Sequence, residues 1–576
     1  MIFRQLNHDD LGCASYLIGD EDAGVAAVVD PRLDIDEYLR LGRYLGVRIE
    51  HVLETHNHAD HVSGHGRLVA ATGATIHVHR DAAPDYDHEP FDDGWVLELG
   101  EVHVRAIHTP GHRPEHTAFA VSDTSRGAEP WAVLTGDSLF VGDVARPDLA
   151  VNPDEGARGI FHSLHGLLAL PGETEVWPGH LGGSMCGGPG MSMKVSSTLA
   201  YERAHSPLLA EDDEEAFVRR ALASVGPQPP NFKAIVALNR GPLATHELIP
   251  HPLTPRQLER RISAGALLVD VRTDLQFDEA HIPGAVSITA LRAGFGTRLA
   301  WLADPDHDVV LVGRDDEDAR QAAALALAVG VLRIGGYLAG GMTSWREERR
   351  PVERIERVLV ADLPGLLDAD PEVQVLDVRE DSEWQGGHIP GSVHRPYHDL
   401  RDLPGEIDPT HPVAVICASG QRSAVAGSLA KRLGVERVIH VVDGGVGTWE
   451  RTGGPMERPD RRGERMSGVS VPEITPAEAA AGLAASSTPL VDVREADEID
   501  MASISGTIWI PLGELAERHA EVPTDGRVAV LCRSGRRSAQ AVEYLRSVGV
   551  DAVNVSGGLL SWQAGGHPMR GRLPES

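Results

Sequence analysis

His56-Asn57-His58-Ala59-Asp60-His61 sets three imidazoles and a carboxylate within six residues. Imidazole nitrogen and carboxylate oxygen together suit borderline and hard divalent metals such as zinc and iron. A chance His-x-His is common, so the weight rests on later punctuation: Thr109-Pro110-Gly111-His112, Thr135-Gly136-Asp137 and Trp177-Pro178-Gly179-His180. Each puts one ligand-type residue beside a glycine at the end of an apolar run. A loop-built metal site is the chemistry these residues share. A second set is nucleophilic: Cys417-Ala418-Ser419-Gly420-Gln421-Arg422 and Cys532-Arg533-Ser534-Gly535-Arg536-Arg537. In both, an apolar run ends at cysteine, a polar loop with glycine follows, and a helical pattern begins. Backbone N–H groups in such a loop, with the positive helix end, cradle an anion and favour thiolate. A lone cysteine is ordinarily a small buried hydrophobe. Two in register, each followed by Ser-Gly-x-Arg, point to reactive sulfur instead.

The run 49–53 before the histidine cluster reads as a buried strand, with the cluster on the loop leaving it. Farther on, one phrase occurs three times: Val269-Asp270-Val271-Arg272, Leu376-Asp377-Val378-Arg379 and Val491-Asp492-Val493-Arg494. His281-Ile282-Pro283-Gly284, His388-Ile389-Pro390-Gly391 and the degraded Ser503-Ile504-Ser505-Gly506 follow at equal spacing. Each copy closes on Gly-Gly-x-x-x-Trp, at Trp345, Trp449 and Trp562. A period of roughly 110 residues is a small domain, not a solenoid unit. Short apolar runs such as Val413 to Ile416 alternate with helical stretches such as Ser423 to Leu433, which favours a parallel sheet covered by helices. Segments 241–255, 350–357 and 451–472, rich in Pro, Gly and charge, read as linkers.

At 576 residues the chain should hold several domains. A net charge of −32 opposes binding to nucleic acid or an anionic membrane, because the overall electrostatic term is repulsive. No uninterrupted apolar stretch is long enough to cross a bilayer, and the N-terminus shows no secretory pattern. Four cysteines without paired spacing give no disulfide framework and suit a reducing cytoplasm, the expected location. Whether the chain forms a homo-oligomer is left open.

The ligand set resembles the metallo-β-lactamase superfamily, and the resemblance covers about residues 1–250. It implies an αββα sandwich in which His56, His58, His112 and Asp137 line one metal position. Asp60, His61 and His180 would line a second, with Asp137 between. The three copies resemble rhodanese domains, small α/β persulfide-forming sulfurtransferases with parallel sheets. Their Cys-x-x-Gly-x-Arg loops have the spacing of the sulfur-transferring members, not the longer loop of rhodanese-like phosphatases. The first copy departs from the pattern: Gly313-Arg314-Asp315-Asp316-Glu317-Asp318 stands where the cysteine loop belongs. The resemblance therefore implies an α/β multidomain chain. Residues 1–250 would be a metal domain and 251–355 a pseudo-rhodanese without catalytic Cys. Residues 356–458 would be a rhodanese with Cys417 and 470–571 a rhodanese with Cys532.

A metallo-β-lactamase-like domain fused to rhodaneses resembles the persulfide dioxygenase branch. That implies one non-haem Fe(II) on His56, His112 and Asp137, with His58, Asp60, His61 and His180 orienting ligands and handling protons. Thiol persulfide and dioxygen would react there to give sulfite and thiol. Cys417 and Cys532, with Arg422 and Arg537, would move sulfane sulfur between persulfide, sulfite and thiosulfate. Arg146 is a candidate for a substrate carboxylate, Cys186 for a substrate-side thiol, and Cys13 for the core. Two alternatives stand: a two-zinc thioester hydrolase of glyoxalase II type with accessory sulfurtransferases, and a sulfur-carrier or scaffold protein. Two further expectations follow. The acidic, thiol-free first copy should pack between the metal domain and the later copies. Arg533, Arg536 and Arg537, against Arg422 alone, should give Cys532 the stronger anion field.

Overall fold

The computed structural model describes residues 1–458 except 9, 151, 183, 189, 212, 224, 247, 248 and 293, and residues 472–571 except 486, 495–497, 500, 501, 525 and 534. The chain divides into two compact units, Met1–Pro459 and Asp460–Ser576.

The first unit opens with two six-stranded sheets, each arranged in sequence order. One runs through Ile2–His8, Cys13–Asp20, Val25–Val29, Arg48–Leu53, Thr75–His79 and Glu89–Phe91. The other runs through Val96–Leu99, Val102–His108, Thr117–Asp123, Ala132–Gly136, Glu175–Pro178 and Ser197–Thr198. Tyr16, Ile18 and Leu53 of one sheet pack on Val104, Phe119 and Leu134 of the other. Helices Asp36–Leu45 and His65–Thr72 cover the first sheet, and Pro153–Leu167 and Glu214–Ala223 the second. Cover on both faces explains why every residue of Cys13–Asp20 is buried rather than alternate ones. The result is an αββα sandwich, as the metallo-β-lactamase resemblance implies. Four strand ends, at Leu53, His108, Gly136 and Pro178, lead directly into the loops bearing His56, His112, Asp137 and His180.

Each of the three repeats folds as a five-stranded parallel sheet with one strand order. In the second repeat this order is Glu356–Leu359, Val438–Val442, Val413–Ile416, Gln374–Asp377 and Val393–His394. The shared phrases are structural. Arg272, Arg379 and Arg494 each turn back on the aspartate two residues earlier, at 2.6, 2.7 and 2.6 Å, and all six side chains are buried. The closing tryptophans donate from Nε1 to the carbonyls of Pro351, Pro455 and Pro568. A Cβ on Gly341, Gly445 or Gly558 would strike the carbonyl of Gly313, Cys417 or Cys532. That contact places Gly313 at the cysteine position of the first repeat.

The first repeat lies between the metal domain and the second. Asp10 accepts from Phe295 N–H and Gly296 N–H at 2.9 and 3.1 Å, capping helix Phe295–Leu302. Val62 N–H bonds to the Ala328 carbonyl, while Leu33, Val62 and Ile235 pack on Leu327. On the opposite side, Ser287 N–H donates to Ser428 Oγ at 3.0 Å. His440 of the second repeat sits 2.8 Å from Asp278 of the first and 2.9 Å from the Gly420 carbonyl. One continuous core includes Leu11 and Cys13, the first repeat's sheet, and Cys417 and Val425.

Candidate metal centre and sulfur loops

Glycines beside the candidate ligands are there for room. At Gly136, with φ +47°, a Cβ would lie 2.7 Å from His116 Nε2, and at Gly179 one would lie 2.8 Å from Asp137 Oδ1. At these two positions the Asp137 and His180 loops approach their neighbours more closely than a side chain would allow.

His56, His112 and Asp137 bring one ligand atom each within 4.8 Å of one another. His112 Nε2 stands 3.5 Å and His56 Nε2 3.9 Å from Asp137 Oδ2. All three atoms are buried and lack a hydrogen-bond partner. Orphaned buried polar atoms are costly unless something fills the space between them, and a cation fits this donor set. The other atom of each group is engaged. His112 Nδ1–H donates to the Arg146 carbonyl at 3.1 Å, so its Nε2 lone pair faces the centre. Thr55 Oγ1 joins His56 Nδ1 at 2.8 Å and donates to Asp30 at 2.9 Å. Asp137 Oδ1 is held by His180 Nδ1 at 2.7 Å.

Burial drives the His56 pKa well below its ordinary value, reinforced by His58, His112 and His116; burial also lowers His112. Burial opposes ionisation of Asp137, but His180 and His112 hold it well below the usual carboxylate range. Two neutral imidazoles and a carboxylate are the protonation states metal binding requires.

The remaining predicted residues divide. His180 spends both nitrogens on carboxylates, Nδ1 on Asp137 and Nε2 on Asp60 at 2.8 Å. Burial would lower its pKa, yet Asp137 and Asp60 raise it to about 10. His58 sits 3.2 Å from both Asp30 and Glu54. His61 Nδ1 touches Asp60 at 3.1 Å, and its Nε2 is buried without a partner. Cys186 comes within 4.8 Å of Asp60 and His180, and burial raises its thiol pKa well above the ordinary value, with the charges of Asp60 and Asp137 adding to the effect. Cys13, expected in the core, is buried there and also stands within 4.8 Å of His61 and His180.

Arg146, the candidate for a substrate carboxylate, has its hydrogen bonds inside the protein. Its buried guanidinium grips Asp148 at 2.7 and 2.8 Å and donates to the Met185 and Gly226 carbonyls, so it braces loops rather than facing a substrate.

Sequence reasoning missed Asp30, Thr55, His116 and Asn239. Asp30 ends an apolar run as Asp137 does, a usable signal, and it adopts φ +48°, uncommon for a non-glycine. His116 Nε2 accepts from Asp137 N–H at 2.8 Å. Asn239 donates to the His58 and His61 carbonyls from a distant helix, which no local pattern announces.

In the second repeat, Cys417 Sγ accepts from Gly420 N–H at 3.1 Å and Ser419 N–H at 3.4 Å. Cys532 Sγ accepts from Gly535 N–H at 3.2 Å and Ser538 Oγ at 3.3 Å. Arg422 forks onto Glu383 at 2.5 and 2.8 Å, and Arg537 onto Glu498 at 2.7 Å twice. Arg422 and Arg537 are thus alike in forking onto a glutamate, and Arg422 also has Glu380 at 3.6 Å. Ser534 and the Arg536 side chain lie outside the described residues, which leaves Arg533. In the first repeat the helix begins at Asp316, three residues after Gly313, whereas the others begin at Gln421 and Arg536, four after their cysteines. Asp315 caps that helix, accepting from Asp318 N–H at 2.8 Å, and Asp318 pairs with Arg314.

Comparison with known proteins finds two families along the chain. The metallo-beta-lactamase superfamily model matches residues 8–180, and the rhodanese-like domain model matches 254–348, 360–452 and 475–565. A probable metallo-hydrolase of Burkholderia pseudomallei is 32% identical over 201 residues, 29% of this chain and 67% of that protein. Human mitochondrial persulfide dioxygenase ETHE1 is 29% identical over 185 residues, 31% of this chain and 68% of that protein. The crystal structure of a metallo-beta-lactamase from Staphylococcus aureus aligns with TM-score 0.53 and 28% identity, covering 59% of this chain and 98% of that one. Some other curated relatives are spanned over 60% of their length. The chain belongs to the metallo-beta-lactamase superfamily, is homologous to the ETHE1 persulfide dioxygenases, and carries three rhodanese-like domains after its metal-binding fold.

Proposed function

We propose that the protein oxidises a low-molecular-weight thiol persulfide at a single iron held by His56, His112 and Asp137, with Cys417 and Cys532 carrying sulfane sulfur as persulfides. The observation that supports this reading most is the division of polar atoms. Three orphaned donors face one point, while both nitrogens of His180 are occupied by carboxylates. His56, His112 and Asp137 would hold iron(II), which would supply the redox chemistry toward dioxygen and sulfur. The chain's own residues set the conditions. Thr55 and the Arg146 carbonyl fix the two imidazoles. His180 holds one carboxylate oxygen of Asp137 so that the other faces the histidines, and Asp60 accepts a hydrogen bond from His180 Nε2–H. Burial of the whole set keeps bulk water away from a reactive sulfur species.

The cysteine loops handle the products. Backbone N–H groups at 3.1 to 3.4 Å stabilise sulfur anion at Cys417. Sulfite attacks the outer sulfur of a Cys417 persulfide through its sulfur lone pair. The S–S bond to Sγ breaks, its electron pair stays on Sγ as thiolate, and thiosulfate leaves. Sulfide detoxification or sulfane-sulfur metabolism is the physiological sense of such a sequence.

The test is metal content of the anaerobically purified chain together with oxygen uptake on glutathione and coenzyme A persulfides. About one iron per chain and persulfide-dependent uptake are expected. The unpartnered His61 Nε2 beside Asp60 favours a second reading, a two-zinc thioester hydrolase. Two tightly bound zinc ions with thioester hydrolysis and no oxygen uptake would establish it instead.

A further inference from the structure

The three repeats share one further backbone bond. Ala290 N–H, Tyr397 N–H and Leu512 N–H donate to the carbonyls of Val271, Val378 and Val493, the second valines or sole valine of the repeated Asp-Val-Arg phrase, at 3.0, 3.3 and 3.2 Å. One position therefore carries a methyl, a phenol and an isobutyl side chain in the three copies. In both cysteine copies a proline precedes it, and it opens a short helical turn, Tyr397–Asp399 and Leu512–Glu514. The backbone is alike at the two sites, so the side chain is what distinguishes them.

Tyr397 stands beside the Cys417 loop. It is 6% exposed and belongs to the core that contains Cys417. It also lines a cleft of about 790 Å³ whose wall includes Ser419, Gln421 and Arg422 of that loop. Among the described residues its hydroxyl has no hydrogen-bond partner, and the oxygen is not sealed in protein, so it opens to the cleft. A largely buried hydroxyl without a partner is uncommon, because its bonds to water are lost and not replaced. Burial pushes the phenol up to about 12, with the Glu380 charge adding to the effect and those of Arg298 and Arg422 opposing it, so the hydroxyl keeps its proton. Leu512 packs against the core that contains Cys532 and offers no donor.

We propose that Tyr397 fits the second repeat to a sulfur oxyanion: its hydroxyl donates to an oxygen of sulfite while sulfite takes the outer sulfur of the Cys417 persulfide. This rests on the sulfur transfer proposed above and adds to it a residue that sets the acceptor. In the step, the sulfite sulfur lone pair forms the new S–S bond. The bond to Sγ breaks, its electron pair stays on Sγ, and Tyr397 gives up no proton. The negative charge of sulfite and of the thiosulfate formed lies largely on oxygen, where a fixed O–H acts, whereas a thiol acceptor has no oxygen on its sulfur. A donor left unpaired by the wrong acceptor is what makes such a site selective. The third repeat lacks that donor at the matching position.

The experiment uses the full chain carrying Cys532→Ser, so that Cys417 is the one cysteine left in a sulfur loop. Without oxygen, Cys417 is loaded from glutathione persulfide, and its discharge is timed with sulfite and, separately, with free cysteine as acceptor. Tyr397→Phe keeps the ring and removes only the oxygen. Its rate constant with sulfite should fall about tenfold or more, and the preference for sulfite over cysteine should fall with it. Tyr397→Leu, which copies the third repeat, should show the same loss of preference. A role in packing alone would slow both acceptors alike, so an unchanged preference in Tyr397→Phe overturns the proposal. A preference lost in Tyr397→Leu but kept in Tyr397→Phe overturns it too, because the ring and not the hydroxyl would then be acting. Failure of the parent chain to form a Cys417 persulfide, seen by mass spectrometry before any acceptor is added, would refute the sulfur-transfer reading itself and this proposal with it.

Discussion

At the residue scale, the metal centre is built by hydrogen bonds behind the ligands as much as by the ligands. His56 is aimed by Thr55, which is aimed by Asp30, and each link is a neutral or charge-assisted bond below 3 Å. Thr55→Val should therefore lower metal affinity about 10- to 100-fold without removing a ligand; titration of the metal-free protein with iron(II) checks this, and unchanged affinity would show the ring to be held by packing alone. His112→Ala should lose oxygen uptake altogether while thiosulfate:thiol sulfurtransfer persists, because the cysteines sit in other domains. The ligand-type residues themselves were legible from sequence, since each follows an apolar run and His112, Asp137 and His180 directly follow a glycine. Their division into donors facing a centre and donors spent on each other was not. His58 and His61 look interchangeable in the sequence, but only His58 lies against the buried acids Asp30 and Glu54. Arg146 was open between two roles for the same reason, since a buried arginine and a substrate-facing one have the same letter.

At the element scale, the repeats were readable as a parallel α/β fold because their phrases serve the fold. The Asp-Val-Arg ion pair, the tryptophan bond and the second closing glycine recur in all three copies. Chemistry varies around that frame. Acidic residues of the first copy's loop are employed locally: Asp315 as a helix cap and Asp318 as partner to Arg314. Asp315→Ala should cost about 1 kcal/mol of stability, measurable by denaturant titration, where no change would mean that the helix start is held from elsewhere. What joins the first and second copies was invisible in sequence, because it depends on surfaces that meet only after folding. His398 is one such joint, stacked on Trp301. Burial lowers its pKa, but the hydrogen bond and charge of Glu380, with the charge of Asp399, raise it overall above the ordinary 6.5. A raised folded-state pKa gives stabilisation that is complete below the unfolded value and disappears as pH rises through the folded one. The melting temperature of the first unit should therefore fall as pH rises above about 6.5, and His398→Asn should flatten that slope. Parallel profiles for variant and wild type would remove His398 from the account.

At the scale of the whole molecule, the continuous core through Leu11, Cys13, the first repeat and Cys417 predicts how the chain unfolds. Met1–Pro459 should melt as one cooperative transition, not as three domains, with Asp460–Ser576 as a second. With unfolding enthalpy near 0.7 kcal/mol per residue, the two should stand at roughly four to one in a calorimeter. Three separated transitions for the first unit would mean that its shared core does not couple the domains. The short loop after Gly313 has a consequence for the history of this assembly. A Cβ at Gly313 would lie 2.7 Å from the Asp315 carbonyl and 2.8 Å from Ala319 N. Restoring a cysteine there by one codon change therefore meets backbone, and the cradle that would stabilise its sulfur is short by a residue. The loss of sulfur chemistry in this copy behaves as a ratchet. Point mutation cannot reverse it, and selection on the copy can act only through the neighbours it touches.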